Sequence, residues 1–479
     1  MNPFENAPAS KKLLTLAGIY VAMVAAMCQS SGVSTLLPAA AADVGQAELY
    51  PLASTLGGAV SVIVMPLYGW LAARNPAGKR MIMVASLVIG AAVCAARAMA
   101  PNMVTIIIVS LFWAFTSAGV FVIAFTMVRE MYSSEKAGVR LGVVSALMSA
   151  GMIGGPLLTG LLIDLFDWRI ASHILWPFLL IAAVLVFVGV RVSAADAAHM
   201  ASNRAAFDVP GCIGFALFLG GLILVLSLGG TTFAPFGSAL NLALIGLTVV
   251  GVVIFAVALK QKGDGSFLPV SVLKNRNVLV LASNNAILTA SAMALFFFLP
   301  SYVINVMQGT ATEAALPTTL FGVLGLVLGP FFGKWVARAR NARGLVTLGT
   351  LVRIAVTLAF LLVLKPTTPI WLVFVLMLIA GVYNSQNLVT NSTAPQIQVA
   401  ANQRVQGNSV VQLGQNLGSG VGMAVYTMAI AMNGFAGGFR VSLIVALSLA
   451  VVALVLAQLL RPLPDEDAAT APAASGSAS

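Results

Sequence analysis

Charge is what this chain has least of. Only 8% of its 479 residues are Asp, Glu, Lys or Arg, where a soluble domain carries about 25%. Histidine and cysteine are rarer still, with 2 and 3 copies. That scarcity excludes a His/Cys-rich metal centre. Cys28, Cys94 and Cys212 all sit in apolar runs and read as small core residues, not as a disulfide framework. The chain also lacks His-Glu-x-x-His, Gly-x-Ser-x-Gly and a phosphate-binding loop. Nothing therefore points to an enzyme, a metal or an organic cofactor, and ATP is removed as a direct energy source. The 14 acidic residues avoid the middle of every long apolar run. No carboxylate is thus placed where desolvation would raise its pKa and let it carry a proton across a membrane.

What is abundant is apolar surface, at 60% of residues. A spanning helix needs about 20 mostly apolar residues. That ruler gives fourteen runs, at 13–37, 49–73, 80–99, 103–128, 139–164, 170–192, 211–230, 238–260, 277–304, 314–338, 343–364, 369–392, 407–432 and 438–460. The expected class is an all-α, multi-pass membrane protein. Of the 25 Lys and Arg, 20 fall on one side of this alternation, the side that holds Lys11, Lys12, Arg74, Lys260, Arg338 and Arg404. By the positive-inside rule that side is cytoplasmic and both termini lie there, in a cell (inner) membrane. Lys11-Lys12 precede a run long enough to span, without a small-residue cleavage site, so no cleavable signal peptide is expected. The net charge of +11 is scattered between apolar runs without interleaved aromatics. That argues against nucleic acid and leaves the lipid bilayer as partner. The Ala- and Ser-rich tail, 462–479, reads as disordered.

The uncharged stretch from Gly142 to Gly160 also contains Gly151, Gly155 and Pro156. In a soluble helix each interior Gly costs about 1 kcal/mol against Ala, and an interior Pro about 3. In a bilayer small residues let helices touch, and neighbours re-satisfy the freed backbone. This helix is built to pack closely and bend. A second pattern repeats. Gly69-Trp-Leu-Ala-Ala73-Arg74-Asn-Pro-Ala-Gly78-Lys79-Arg80 follows the second run, and Gly333-Lys334-Trp335-Val336-Ala337-Arg338-Ala-Arg340-Asn-Ala-Arg343 follows the tenth. Two homologous halves are expected: a six-helix bundle over 1–193, inserted helices 7 and 8 over 194–262, a second six-helix bundle over 263–461, then the tail. Such repeats mark secondary transporters, with the substrate site at the interface near mid-membrane.

These patterns resemble the major facilitator superfamily, and within it the fourteen-helix drug:proton antiporter (multidrug efflux) family. The 69–80 loop is similar to the superfamily's Gly-x-x-x-Asp-Arg-x-Gly-Arg-Lys loop. The 142–160 helix matches the antiporter motif of the fifth helix except at Thr159, where the family has Gly. Trp168-Arg169 followed by Pro177 is similar to the family's entry to the sixth helix. Weaker likenesses are Asp208-Val-Pro-Gly211 and Gln415-Asn-Leu-Gly418-x-Gly420-x-Gly422. The resemblance implies the major facilitator fold, alternating access and a monomer. It makes Gly69, Arg74, Gly78, Lys79 and Arg80 a gate loop, and Gly142, Gly151, Gly155, Pro156 and Gly160 a gate helix. The departures matter equally. Ala73 stands where the loop has Asp, and Asn75-Pro76 stand as an insertion. Gln29 replaces the usual Asp nine residues before Pro38, Trp113 stands near a frequent Arg, and Gln415 replaces another. Glu130 or Glu135 are candidate partners for Arg74, Lys79 or Arg80, although these basics also satisfy the positive-inside rule by themselves.

The first, fourth, ninth and twelfth helices line the cavity the resemblance implies. They carry Gln29, Ser30 and Ser34; Trp113 and Thr116; Asn284 and Asn285; and Tyr383, Asn384, Gln386, Asn387 and Asn391. Amides cost several kcal/mol in hydrocarbon unless bonded, so each faces substrate, water or a neighbouring helix. Phe296, Phe297, Phe298 and Tyr302 supply apolar walls. Arg353 is the one basic residue deep in a run. Either it meets an anionic substrate or coupling ion, or backbone carbonyls hold it. His173 either titrates near neutral pH or is structural. The expected function is secondary active transport of small organic molecules, with efflux of amphipathic drug-like compounds. The competing reading is a uniporter or uptake carrier for a polar or anionic metabolite, supported by Gln29, the amides and Arg353. The coupling ion, proton or other, is left open.

Overall fold

In hydrocarbon every backbone N–H and C=O must bond within its own segment, so the apolar runs fold as helices. The computed structural model describes residues 7–45, 50–74, 78–132, 134–191, 208–229, 234–266, 270–339, 342–392 and 404–460. In chain order the helices are α1 (Ala9–Val44), α2 (Tyr50–Arg74), α3 (Lys79–Ala98), α4 (Met103–Met131), α5 (Ser134–Leu165), α6 (Trp168–His173) and α7 (Trp176–Val188). There follow α8 (Val209–Leu228), α9 (Ala239–Lys262), α10 (Val270–Leu273), α11 (Arg276–Asn305), α12 (Ala311–Ala339), α13 (Arg343–Val363), α14 (Ile370–Ser392) and α15 (Arg404–Ala457). Polar side chains mark the starts: Asn102, Asp208, Ser238 and Asn275 each accept a first-turn N–H, on α4, α8, α9 and α11. The tail at 462–479 and the insertion at 75–76 lie outside the described residues.

Twelve segments among the described residues are long and apolar enough to cross a membrane, where the apolar runs predict fourteen. The difference has two sources. The 25-residue α2 is not among the twelve. The last segment, Leu413–Ala457, counts once although it holds 45 residues. At 1.5 Å per residue it would extend about 68 Å, more than twice a hydrocarbon core of about 30 Å. It does not run straight. Gly434 adopts φ 69° and ψ 172°, a conformation open to glycine, and the chain reverses there. Val410 and Val411, before the break, share one buried cluster with Ala453 and Ala457, after it. Adjacent amides of α11 reach both arms: Asn284 Nδ2 donates to the Ala453 carbonyl at 2.7 Å and Asn285 Nδ2 to the Val411 carbonyl at 3.1 Å.

Helices α1–α7 pack chiefly among themselves, α1 on α5 and α7, and α4 on α2 and α3. Helices α11–α15 do the same, α11 on α15 and α14 on α12 and α13. Helices α8 and α9 lie side by side, and α8 rests on both α2 and the first arm of α15. Two seams join the main groups, α5 on α12 with α1 on α11, and α2 on α15. The apolar core is continuous across both groups at one face, where Leu36, Tyr50 and Trp168 share a cluster with Phe298, Tyr302 and Tyr426. Tyr50 and Phe297 stack across it with ring centroids 6.2 Å apart. At the other face, where α1 begins and α15 ends, the core is divided. Leu16, Met83 and Met127 belong to one cluster, and Val278, Val346 and Ala457 to another.

Close packing of α5 on α1 rests on glycine. A Cβ at Gly151 would lie 2.7 Å from Met27 Cβ, and one at Gly155 would overlap Ser31 Oγ and come within 2.5 Å of the Cys28 carbonyl oxygen. Gly154, next in the chain, faces open space. Gly155→Ala is therefore expected to destabilise by about 1–3 kcal/mol, the range for overpacking. Gly154→Ala should be neutral within about 0.5 kcal/mol. Thermal unfolding of the two variants in detergent checks the contrast.

Candidate functional site

Helix α5 touches both main groups. Gly151 and Gly155 face α1, whereas Gly160 faces α12, where an added Cβ would lie 2.7 Å from the Ala311 carbonyl oxygen. Pro156 falls inside the helix. Lower on the same seam, Thr319 Oγ1 donates to the Ile153 carbonyl at 3.2 Å. At its end, Asp164 accepts from Ala311 N at 2.9 Å through Oδ1 and from Thr312 N at 2.8 Å through Oδ2. The carboxylate thus caps α12, where helix-dipole and hydrogen-bond terms both favour it. Thr310 and Glu313 complete that end as a capping box: Thr310 N donates to Glu313 Oε2 at 2.9 Å and Glu313 N to Thr310 Oγ1 at 3.1 Å. The second seam holds a cavity of about 130 Å³ between α2 and α15, lined by Ser54, Gly58, Ser61, Met65, Asn416, Ser419, Gly420 and Met423.

The polar residues expected to line a cavity divide into two sets. Trp113 Nε1 donates to Ser30 Oγ at 3.2 Å, joining α4 to α1. Gln29 is buried, its Nε2 without a hydrogen-bond partner among the described residues. Ser34 Oγ turns back to the Ser31 carbonyl at 2.8 Å. The amides of α11 and α14 mostly bind helices. Asn284 and Asn285 hold the two arms of α15, and Asn384 Nδ2 donates to the Phe321 carbonyl of α12 at 3.3 Å. Gln386 is buried against Gly349 of α13, and Asn387 is half-buried. Arg353 is 1% exposed. Its Nη1 donates to the Leu288 carbonyl and its guanidinium carbon lies 4.1 Å from the Tyr383 ring centroid. The cation is seated on a carbonyl and a π-face.

Of the gate loop, Gly69 and Arg74 fall in the last turns of α2, and Gly78 precedes α3. Lys79 forms an ion pair with Glu130 of α4. Arg80 Nη1 donates to the Phe187 carbonyl at 2.8 Å and lies over that ring. Both cations tie α3 to neighbours within its own group. Gly142 lies in α5 near its start.

A family model described as Major Facilitator Superfamily matches residues 19–423, and again 281–478. The chain belongs to the Major Facilitator Superfamily. It is therefore a multi-pass membrane protein of a transporter family that acts on small molecules. Among relatives, it is 24% identical over 305 residues to the multidrug transporter protein MdtP of Bacillus subtilis, covering 64% of this chain and 54% of that one. It is 24% identical over 378 residues to multidrug resistance protein 3 of the same organism, covering 78% and 70%. It is 21% identical over 345 residues to the riboflavin transporter RibZ of Clostridioides difficile, covering 72% of each. The chain spans about half the length of the first of these relatives. Its fold is similar to the nucleoside transporter NupG, with TM-score 0.65 and 12% identity over 94% of this chain and 100% of that one. It is also similar to a peptide transporter, POT, with TM-score 0.66 and 14% identity over 93% and 95%.

Sequence reasoning about this superfamily member missed three features. Arg97, not singled out by the charge pattern, is 1% exposed in α3. The seam cavity draws on serines too common to notice. Asp164 did leave a signal: a carboxylate at the C-terminal end of a helix opposes its own dipole and needs a donor elsewhere.

Two outcomes follow from the geometry. Arg353→Ala should lower the melting temperature, by roughly 1–3 kcal/mol of stability, with KM for any carried compound unchanged. A tenfold rise in KM at unchanged melting temperature would instead place Arg353 on the substrate path. Asp164→Ala removes an acceptor of two backbone N–H bonds, each worth roughly 1.5–3 kcal/mol to a charged group. It should speed labelling of Thr312→Cys by a membrane-impermeant maleimide relative to the Asp164 parent.

Proposed function

We propose that the chain is an efflux carrier for amphipathic organic compounds, a monomer of fourteen crossings that works by alternating access. The observation that carries this is the core, continuous between the two groups at one face and divided at the other. That is the form of a carrier sealed on one side. Counting α2 and both arms of α15 raises the twelve candidate spans to fourteen. Residues 1–193 and 263–461 are the two moving bodies, 194–262 carries the inserted pair, and 462–479 is a tail. The Lys and Arg bias puts the divided face, with both termini, in the cytoplasm. The described conformation is then open inward and closed outward by the Asp164 cap and the Tyr50–Phe297 contact.

Motion follows from unequal attachment. Gly151 and Gly155 bind α5 to α1 by backbone contact, so α5 travels with the first body. Its hold on α12 joins close approaches at Gly160 and Gly322 to separable polar contacts from Thr319 and Asp164, and parting them opens the sealed face. Gln29, Trp113 and Ser30 line the path on the first body, with Asn387 on the second. The relatives named for multidrug transport support efflux. The metabolite-carrier reading keeps the riboflavin transporter relative in its favour but loses Arg353, which the second body already engages.

Purified protein in proteoliposomes, given imposed proton or sodium gradients, tests this. Ethidium, N-benzylacetamide and benzoate serve as cationic, uncharged and anionic probes. Gradient-dependent accumulation of ethidium or N-benzylacetamide is expected. Benzoate flux alone, indifferent to either gradient, would overturn efflux in favour of the metabolite carrier.

A further inference from the structure

The cavity between α2 and α15 has a chemistry of its own. Among the described residues its lining contains no ionisable side chain. A charged ligand there would meet no counter-charge, and burying an unpaired charge is strongly unfavourable. Yet the lining is not apolar. Ser54 Oγ is buried without a partner among the described residues. Ser61 Oγ has the Ser117 hydroxyl at 3.4 Å, and Ser419 Oγ has, among the described residues, Met293 sulfur at 3.5 Å, a weak acceptor. Asn416 is exposed and lines the cavity. Two hydroxyls on one helix and an amide and a hydroxyl on the other offer both donors and acceptors. Met65 and Met423 add polarisable thioethers that suit an aromatic ring.

Size narrows the occupant. A volume of about 130 Å³ is close to a cavity of about 150 Å³ that takes up benzene. One ring fits, not a whole drug. Behind Gly420, one of the lining residues, lies the inserted helix α8. Ile223 of α8 presses on Gly420, where a Cβ would lie 2.6 Å from Ile223 Cδ1. Phe215, Leu219 and Ile223 pack there with Leu413, Leu417 and Val421 of α15. Because α8 touches both α2 and α15, it walls the seam against lipid.

We propose that this cavity is a substrate subsite for an uncharged, ring-sized group that both donates and accepts hydrogen bonds, as an aryl amide does. It is held between Ser54 and Ser61 of α2 and Asn416 and Ser419 of α15, with α8 as its rear wall. The assignment rests on the carrier reading and deepens it by naming the substrate chemistry. An occupant touches both moving bodies, so the ring bridges them in the inward-open conformation.

The test uses the full chain in proteoliposomes with Ser61→Cys or Ser419→Cys, each labelled by N-ethylmaleimide and followed at that peptide by mass spectrometry. Three probes share one ring: N-benzylacetamide, benzoate and benzyltrimethylammonium. Millimolar N-benzylacetamide should slow labelling at both positions by about fivefold or more, with the two ions giving less than about twofold. Asn416→Ala should raise its half-protecting concentration by about three- to tenfold, the loss of one hydrogen bond. The isosteric Asn416→Asp should turn the preference toward benzyltrimethylammonium. Equal protection by all three probes, or none by N-benzylacetamide, overturns the subsite. Transport of N-benzylacetamide without protection overturns the subsite and leaves the carrier reading standing. Protection without transport of any probe does the reverse.

Discussion

A donor side chain buried between membrane helices has one dependable acceptor, the second lone pair of a backbone carbonyl on the next helix. Most of this protein's interior is arranged around that fact. Asn284, Asn285, Ser291, Tyr426 and Asn384 all donate to carbonyls of a different helix or arm. Arg353 does the same. Lipid tails give no hydrophobic drive for helices to associate, so close contact and such bonds must supply it. Glycines set the spacing that lets the donors reach. A Cβ at Gly418, for instance, would overlap the Ala286 carbonyl on α11. The second group is held together in this way, with α11 clamped between the two arms of α15.

The same rule explains what could and could not be read from the sequence. The helices and their order were legible because twenty apolar residues admit one solution in a bilayer. The reversal at Gly434 was legible as a gap between the runs 407–432 and 438–460. The role of each amide was not. An Asn in hydrocarbon needs a partner, but sequence cannot say whether that partner is water, substrate or a carbonyl many residues away. Asn284 and Asn285, side by side on α11, meet carbonyls 169 and 126 residues distant. Lys79 shows the opposite case: its partner Glu130, in the last turn of α4, is one of the two acidic candidates that the sequence offers for these basic residues.

The two seams between the bodies are built differently, and the difference has mechanical content. On α5–α12 the contacts are a hydroxyl, a carboxylate cap and a glycine against a carbonyl. The hydroxyl and carboxylate bonds among them are directional and break over a short displacement. On α2–α15 the seam is partly empty and lined by weakly partnered hydroxyls. On the carrier and subsite proposals, one seam is a latch and the other a receptacle. A carrier needs both, because a conformational equilibrium shifts only by the difference in a ligand's affinity for the two states.

The absence of mid-span acids then acquires a positive meaning. Family members with Asp at the position of Gln29 place a charge within the first helix. Here that position is a buried amide, Ala73 takes the place of the loop Asp, and the seam cavity has no ionisable lining. Arg97 and Arg353 are buried cations, but Arg353 lies within the second group on a carbonyl and a ring. A seam cavity without fixed charge disfavours ions by desolvation alone, since an ion entering it loses hydration and gains no partner. Uncharged molecules with a polar edge lose far less. On the subsite proposal, what the seam cavity accepts is set by what it withholds as much as by the hydrogen bonds it offers.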